Sequence, residues 1–276
     1  MAKFVTTVTP DFDAGAATGS AYSDNDILFT WTPFNVPKSI GAVELKSIFA
    51  TWPGTDGATG NVIDFSLYFA KSENGVAPAS FGTIHAAPTV VLSNAFRRNL
   101  QGWLYIDASA GAEAHLGGGA ITSYNVFNYN TNPLSGTAGG NSNIFLQNDD
   151  TRLFSGDATY SAPPEGYQTF WVAGIAHGTF DFGTDLQLNQ TGHQAAATAA
   201  TTITIEQGGG GAGVANQSFQ KGDTLIGATG GPTMEITDMV SGTATSLIVK
   251  NISEQIDNNE ELVLQYPLRL QLGFEY

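Results

Sequence analysis

Apolar residues recur at every second position in several stretches of this chain, the period of a strand with one buried face. Residues 42–52 read AVELKSIFATW, and residues 61–72 read NVIDFSLYFAKS, which places Ile63, Phe65, Leu67 and Phe69 on one side. A Gly-rich turn at 54–60 separates the two, so they are expected to pair as neighbours. An earlier strand is expected near 26–31, ahead of a loop bounded by Pro33 and Pro37. Shorter strands are expected at 89–92 and 102–107, with Arg97, Arg98 and Asn99 in the turn between them. From 108 to 140 the period fades, and the stretch reads as a long loop carrying Tyr124, Phe127 and Tyr129. A long irregular insertion rich in aromatics is expected to be a contact surface. Order is expected to return at 143–146, with strands at 168–176 and at 185–188, where the first domain is expected to end.

The second half repeats the pattern on a smaller scale. Residues 219–240 (FQKGDTLIGATGGPTMEITDMV), 241–252 (SGTATSLIVKNI) and 253–265 (SEQIDNNEELVLQ) each join alternating apolar positions to a turn rich in Gly, Asp or Asn. Antiparallel strands with one buried face are the expected product. Residues 192–202, GHQAAATAATT, are low in complexity and read as a linker. The last segment, PLRLQLGFEY, alternates Leu268, Leu270, Leu272 and Phe274 with polar or small residues. It has two possible partners: the first domain's sheet, which would make the small module an insertion, or the edge of a neighbouring subunit. Residues 1–20 are rich in Thr, Ala, Gly and Asp and read as an arm that orders on a neighbour, anchored by Phe4, Val5, Val8 and Phe12. The expected division is an arm at 1–20, a β-sandwich at 21–191, a linker at 192–202, a small β module at 203–266 and a strand or arm at 267–276.

Composition agrees with a turn-rich β protein. Of 276 residues 13% are charged, 33 are Gly, and 17 Phe, 9 Tyr and 4 Trp supply aromatic core material. The net charge of −15, from 25 acids against 10 bases, argues against a nucleic-acid partner, since phosphate contacts need clustered Lys and Arg. Arg97 and Arg98 are the only adjacent basic pair and read as a solvated or intersubunit pair. Cys is absent, which excludes disulfides and thiolate chemistry. No stretch approaches a membrane span, and the first residues lack the apolar run of a signal peptide, so export by that route and membrane insertion are not expected.

No catalytic, cofactor or metal constellation emerges. His85, His115, His177 and His193 lack the HxH or HxxxH spacing of a metal site, and His177 reads as a hydrogen-bonding strand end. Asp24 with Asp26, Asp149 with Asp150, and Asp181 with Asp185 are spaced for turns and do not form a DxDxDG loop. Trp31, Trp52, Trp103 and Trp171 could form a sugar-stacking platform, but three lie in alternating strands where a core role is expected.

Two motif sets resemble proteins of tailed-bacteriophage virions. Phe219, Gly222, Asp223, Leu225 and Gly227, echoed by Asn259, Glu260 and Leu262, resemble a small β-barrel module that recurs in such proteins, notably marine ones. Two departures are Asn259, where Gly often precedes the acid, and Gly230-Gly231 in place of a Ser-Gly turn; Asn tolerates a left-handed backbone almost as Gly does. Over about 22–190, Ala21, Tyr22 and Asp26, then GAVELKSI, DFSLYF and FWVAGIAHGTFDFGTDLQL, resemble a structural family of tailed-phage genomes. The fold expected is all-β: an antiparallel, jelly-roll-like β-sandwich with a small β-barrel module. The resemblance implies a non-enzymatic capsid decoration or cement protein, a homotrimer on the virion's capsid surface, made in the host cytoplasm and bound to the major capsid protein and other virion proteins. Phe4, Phe12, Arg97, Arg98, Tyr124, Phe127, Tyr129, Phe274 and Tyr276 are the expected interface residues. The alternative is a tail- or fibre-associated protein that binds host-surface glycan.

Overall fold

The computed structural model describes residues 3–12, 22–37, 42–53, 64–72, 77–80, 82–89, 94–106, 112–116, 121–127, 144–147, 166–179, 187–189, 199, 201–204, 206–207, 221–227, 232–239, 246–256 and 261–275. The first part of the chain contains β1 (Lys3–Val8), β2 (Ile27–Pro37), β3 (Val43–Pro53), β4 (Asp64–Lys71), a short helix α1 (Asn94–Asn99) and β5 (Leu100–Ile106). Next come β6 (Ala112–Leu116), β7 (Ile121–Phe127), β8 (Ile144–Leu146), β9 (Tyr167–His177) and β10 (Gln187–Asn189). The rest is β11 (Thr202–Thr204), β12 (Glu206–Gln207), β13 (Thr224–Gly227), β14 (Thr233–Met239), β15 (Ser246–Lys250), β16 (Glu261–Leu264) and β17 (Arg269–Glu275). All their pairings are antiparallel, and they build three sheets.

Two of the sheets form the sandwich. One runs β1-β17-β3 and continues from β3 into both β8 and the β7-β6 hairpin; the other runs β2-β9-β4-β5. Set the β6-β7 hairpin aside and number the remaining strands one to eight along the chain, from β1 to β5, then β8, β9 and β17. The sheets then read 1-8-3-6 and 2-7-4-5, the double Greek-key order of a jelly roll. In that order successive early strands alternate between sheets. This is why β3 and β4, expected to pair as neighbours, lie in opposite sheets instead.

The inner faces follow the period of two. Phe65, Leu67 and Phe69 of β4 are fully buried, and Phe34, Phe170 and Phe274 fill the middle of the sandwich. Phe34 links the sheets: its ring lies 5.9 Å from Phe274, stacked, and 6.4 Å from Phe69, edge-on. β9 departs from alternation, being buried on both faces from Gln168 to Ala176. Its outer side is covered by the connection that follows β4: Trp171 Nε1 donates to Ser72 Oγ (3.0 Å), Trp31 Nε1 donates to the Ala79 carbonyl (2.9 Å), and Ile84 is buried nearby in sequence. A central strand covered on both sides reads as a continuous apolar run, as VAGIA does here.

Several sequence expectations change in the fold. β2 runs straight through Pro33 to Pro37 where a loop was expected, which an edge strand permits because its outward N–H groups need no ladder partner. Arg97 and Arg98 sit in α1 and not in a turn. Much of the expected 108–140 loop is the β6-β7 hairpin, whose second strand extends β3 by pairing Tyr124 with Ala50 and Phe127 with Ser47. Residues 3–8 of the expected arm are β1, in register with β17 from Lys3–Glu275 to Val8–Leu270. The last strand is likewise no arm: β17 lies between β1 and β3 in the sandwich.

Because β17 returns to the sandwich, the small module is inserted between the seventh and eighth strands. Its sheet runs β11-β15-β14-β13-β16-β10-β12, so β10, expected to end the first domain, belongs to this sheet. The opening motif and its echo are adjacent strands here, with Leu225 opposite Leu264 and Gly227 opposite Leu262. Gly222 takes φ of +95°, the left-handed region where Gly is at home. The expected barrel is a rolled open sheet: its end strands β11 and β12 are separated by one residue of chain, yet no ladder joins them among the described residues.

Candidate functional site

The outer face of the β2-β9-β4-β5 sheet carries a group of contacting polar and aromatic side chains at its β4-β5 side. With Phe65, Leu67 and Phe69 turned to the core, Asp64, Ser66 and Tyr68 take the other face of β4. Register sets Tyr68 opposite Trp103, Ser66 opposite Tyr105, and Asp64 opposite His177. The Tyr68 and Trp103 rings stack at 6.3 Å with 21° between planes, and Tyr105 packs 5.0 Å from His177. The Tyr105 hydroxyl donates to Asp64 Oδ2 at 3.0 Å. Trp103 is 54% exposed, whereas Trp31 and Trp171 are buried.

At the end of this face Ser66 Oγ is 2.7 Å from His177 Nε2, and His177 Nδ1 is 3.6 Å from Asp24 Oδ1. Serine, histidine and aspartate in that order are the elements of an acyl-transfer triad. Access decides against that chemistry here: Ser66 is 1% exposed, so its hydroxyl has no open path to a carbonyl. Asp24 is also engaged elsewhere, accepting from the Gly178 N–H (3.2 Å) and from Asn25 Nδ2 (2.9 Å). The set ties the turn at 23–26 to the end of β9 and satisfies a buried hydroxyl. The same turn is fastened by Asn25 N–H to the Ala176 carbonyl and by Ala176 N–H to the Asp26 carbonyl. His177 was expected to be a strand-end hydrogen-bonding residue, and its contacts are of that kind; its two partners are 111 and 153 positions away in sequence (177 − 66 and 177 − 24), beyond the reach of any spacing rule.

His85 is held differently. It has φ of +62° and stacks on Tyr22 at 3.7 Å with 22° between planes, while its N–H donates to the Ile27 carbonyl. Burial lowers its pKa from the ordinary 6.5, against a smaller upward pull from Asp26. Burial raises the Tyr22 phenol well above its usual range, with Asp26 adding to the effect. Because His85 takes its proton less readily folded than unfolded, stability is whole above pH 6.5 and is lost as pH falls towards the folded value. His85→Asn, which suits a left-handed backbone, is expected to flatten the decline in unfolding midpoint between about pH 7 and 5. An unchanged slope in parallel denaturant titrations would remove His85 as its source.

The expected interface residues separate on inspection. Phe12 and Phe274 are core residues of this chain, 4% and 2% exposed, and Phe12 packs 5.7 Å from Phe29. For Phe274 the alternation of 268–274 signalled one buried face but not whose core buries it. Phe4 is half-buried, opposite Phe274 and 6.1 Å from the Tyr167 ring. Arg97 and Arg98 are exposed on α1. Tyr124 and Phe127 are strand residues, while Tyr129 and Tyr276 lie outside the described residues. Among the described residues the large apolar side chains that are exposed are Val5, Trp103, Phe145, Tyr167 and Tyr266; of these only Val5, as an anchor of the expected arm, had been placed against a neighbour. Val5, Trp103 and Phe145 stand on the outermost strands β1, β5 and β8, a position set by the sheet and not by local sequence. Among the described residues no cluster of three or more His, Cys, Asp or Glu is placed to hold a metal ion, and no helix is long and apolar enough to cross a membrane.

Fold and surface together define an all-β protein: a jelly-roll sandwich with a third β sheet inserted before its last strand. No protein-family model matches the chain, and no curated protein matches it. Among solved structures it shows a distant likeness to the Macrobrachium rosenbergii nodavirus, at 11% identity over 99% of this chain and 89% of that one. The TM-score is 0.15, a superposition too loose to bear on fold or function.

Proposed function

We propose that this chain is a non-enzymatic structural protein of a virus particle, a decoration or cement protein that binds the outer surface of a tailed-phage head and stabilises the shell as a homotrimer. The observation that carries the reading is the pairing of the two motif segments, β13 and β16, inside a β sheet inserted into a jelly roll. Those segments are the ones whose sequence resembles the virion module. Jelly rolls occur in viral capsids and also in lectins and cupins, so the sandwich contributes by analogy and the motifs supply the direction. A trimer suits the three-fold positions of a shell, because closed cyclic symmetry satisfies identical interfaces.

The termini are not free arms on this reading, since β1 and β17 are integral to the sandwich. Shell contact falls to side chains such as Val5 and Phe145, which project from the β1-β17-β3-β8 sheet. Cryo-electron microscopy of the intact particle is the test: density for this chain is expected at three-fold sites on the head. Density confined to the tail would overturn the assignment.

A further inference from the structure

We propose that the outer-face strip of exposed Trp103 with half-buried Tyr68 and Tyr105 is a binding site for a neutral oligosaccharide, with Trp103 as the stacking platform. The proposal stands apart from the virion assignment and rests on the outer face of β4 and β5. An indole over half exposed, on a strand whose neighbouring side chains are well packed, is an unusual use of the largest apolar side chain. Its orientation is set by the near-parallel Tyr68 ring at 6.3 Å, so the aromatic plane is held ready before a ligand arrives. A pyranose presents an apolar C–H face to such a plane and hydroxyls at its rim.

The next row of the sheet supplies groups for the rim. Two positions along β5, about 7 Å by strand geometry, stands Tyr105, whose hydroxyl is joined to the Asp64 carboxylate. His177 packs against the Tyr105 ring and is itself one quarter exposed. Tyr105 is already bonded to Asp64 and His177 to Ser66, so sugar hydroxyls would join an ordered polar network by sharing its donors and acceptors. Charge narrows the ligand further. Asp64 and Asp24 lie at this end of the face and the chain carries a net −15, which disfavours sialylated, sulfated or phosphorylated glycans and leaves neutral hexose chains. A stiff stacking platform flanked by a few fixed polar groups is the general plan of small-ligand recognition.

Isothermal titration of the full chain with cellohexaose, maltohexaose and mannohexaose tests this directly. Saturable binding to at least one is expected, weakened about tenfold or more by Trp103→Ala and less by Trp103→Phe or Tyr105→Phe. Trp103 is 54% exposed, and unchanged circular dichroism and thermal midpoint confirm that each variant is folded. No saturable heat with any of the three sugars would overturn the proposal. So would binding that Trp103→Ala leaves intact. Sedimentation that shows self-association lost in Trp103→Ala, without sugar binding, would assign the strip to a second copy of this chain instead.

Discussion

Phe274→Ala is expected to lower the unfolding free energy by about 3–5 kcal/mol, the usual cost of removing a buried phenylalanine and leaving its space partly empty. The ring is 2% exposed on β17, stacked at 5.9 Å on Phe34 from the opposite sheet. Phe34 in turn lies 6.0 Å from Phe170 and 6.4 Å from Phe69, so the deletion opens a void in the cluster that joins the two halves of the sandwich. A domain's stability is about 5–15 kcal/mol in all, so the variant should sit close to unfolding at ordinary temperatures. Denaturant titration should show a lower midpoint at unchanged slope. The measurement also separates two roles for the last strand. If Phe274 served another subunit's interface, the isolated chain would lose nothing, and an unchanged midpoint would mean that β17 is not the eighth strand of the roll.

The second large effect is expected at Gly174, in the middle of β9. A Cβ added there would drive into the Phe29 ring, reaching 2.7 Å from Cδ1 and 2.9 Å from Cζ with Cε1 nearer still. Phe29 is fully buried, is in register with Gly174, and also packs against Phe12, so its ring has little room to withdraw. Gly174→Ala should therefore destabilise by about 1–3 kcal/mol through overpacking, although a methyl group normally suits a strand better than none. Shortening the obstacle should restore part of the loss: Gly174→Ala combined with Phe29→Leu is expected to be less destabilised than the sum of the two single changes. Strict additivity would show that the two positions do not meet.

Much of the architecture was legible along the chain because strands leave a local signature. The alternation in 42–52 and 61–72 marked β3 and β4, the strand expected at 168–176 is β9, and Phe65, Leu67 and Phe69 lie on the buried face that alternation indicated. The twin motifs of the second half marked two strands of one sheet, and β13 and β16 are paired. The missed elements share a reason. β6 and β7 have weak periods of their own and are fixed by pairing with each other and with β3, while β2 continues through Pro33 because it lies at an edge. The candidate site was less legible still. Trp103 looked like a core residue by alternation, and only its place on the outer face of an outermost strand exposes it. Ser66, His177 and Asp24 were individually unremarkable and meet only across the ladder and the turn at 23–26.

The sequence by itself determined that this protein is antiparallel β, which residues share a face in its clearly alternating strands, and that a second, smaller β module accompanies the first. Those properties reside in the period of two and in turn residues, both set within a few positions of chain. The tertiary structure alone decided the strand order, which makes the first and last strands neighbours, turns the expected arms into sandwich strands, and buries Phe12 and Phe274. The physical reason is that an alternating strand specifies a buried face without naming the sheet or subunit that covers it, so its partner is chosen only when the whole core assembles.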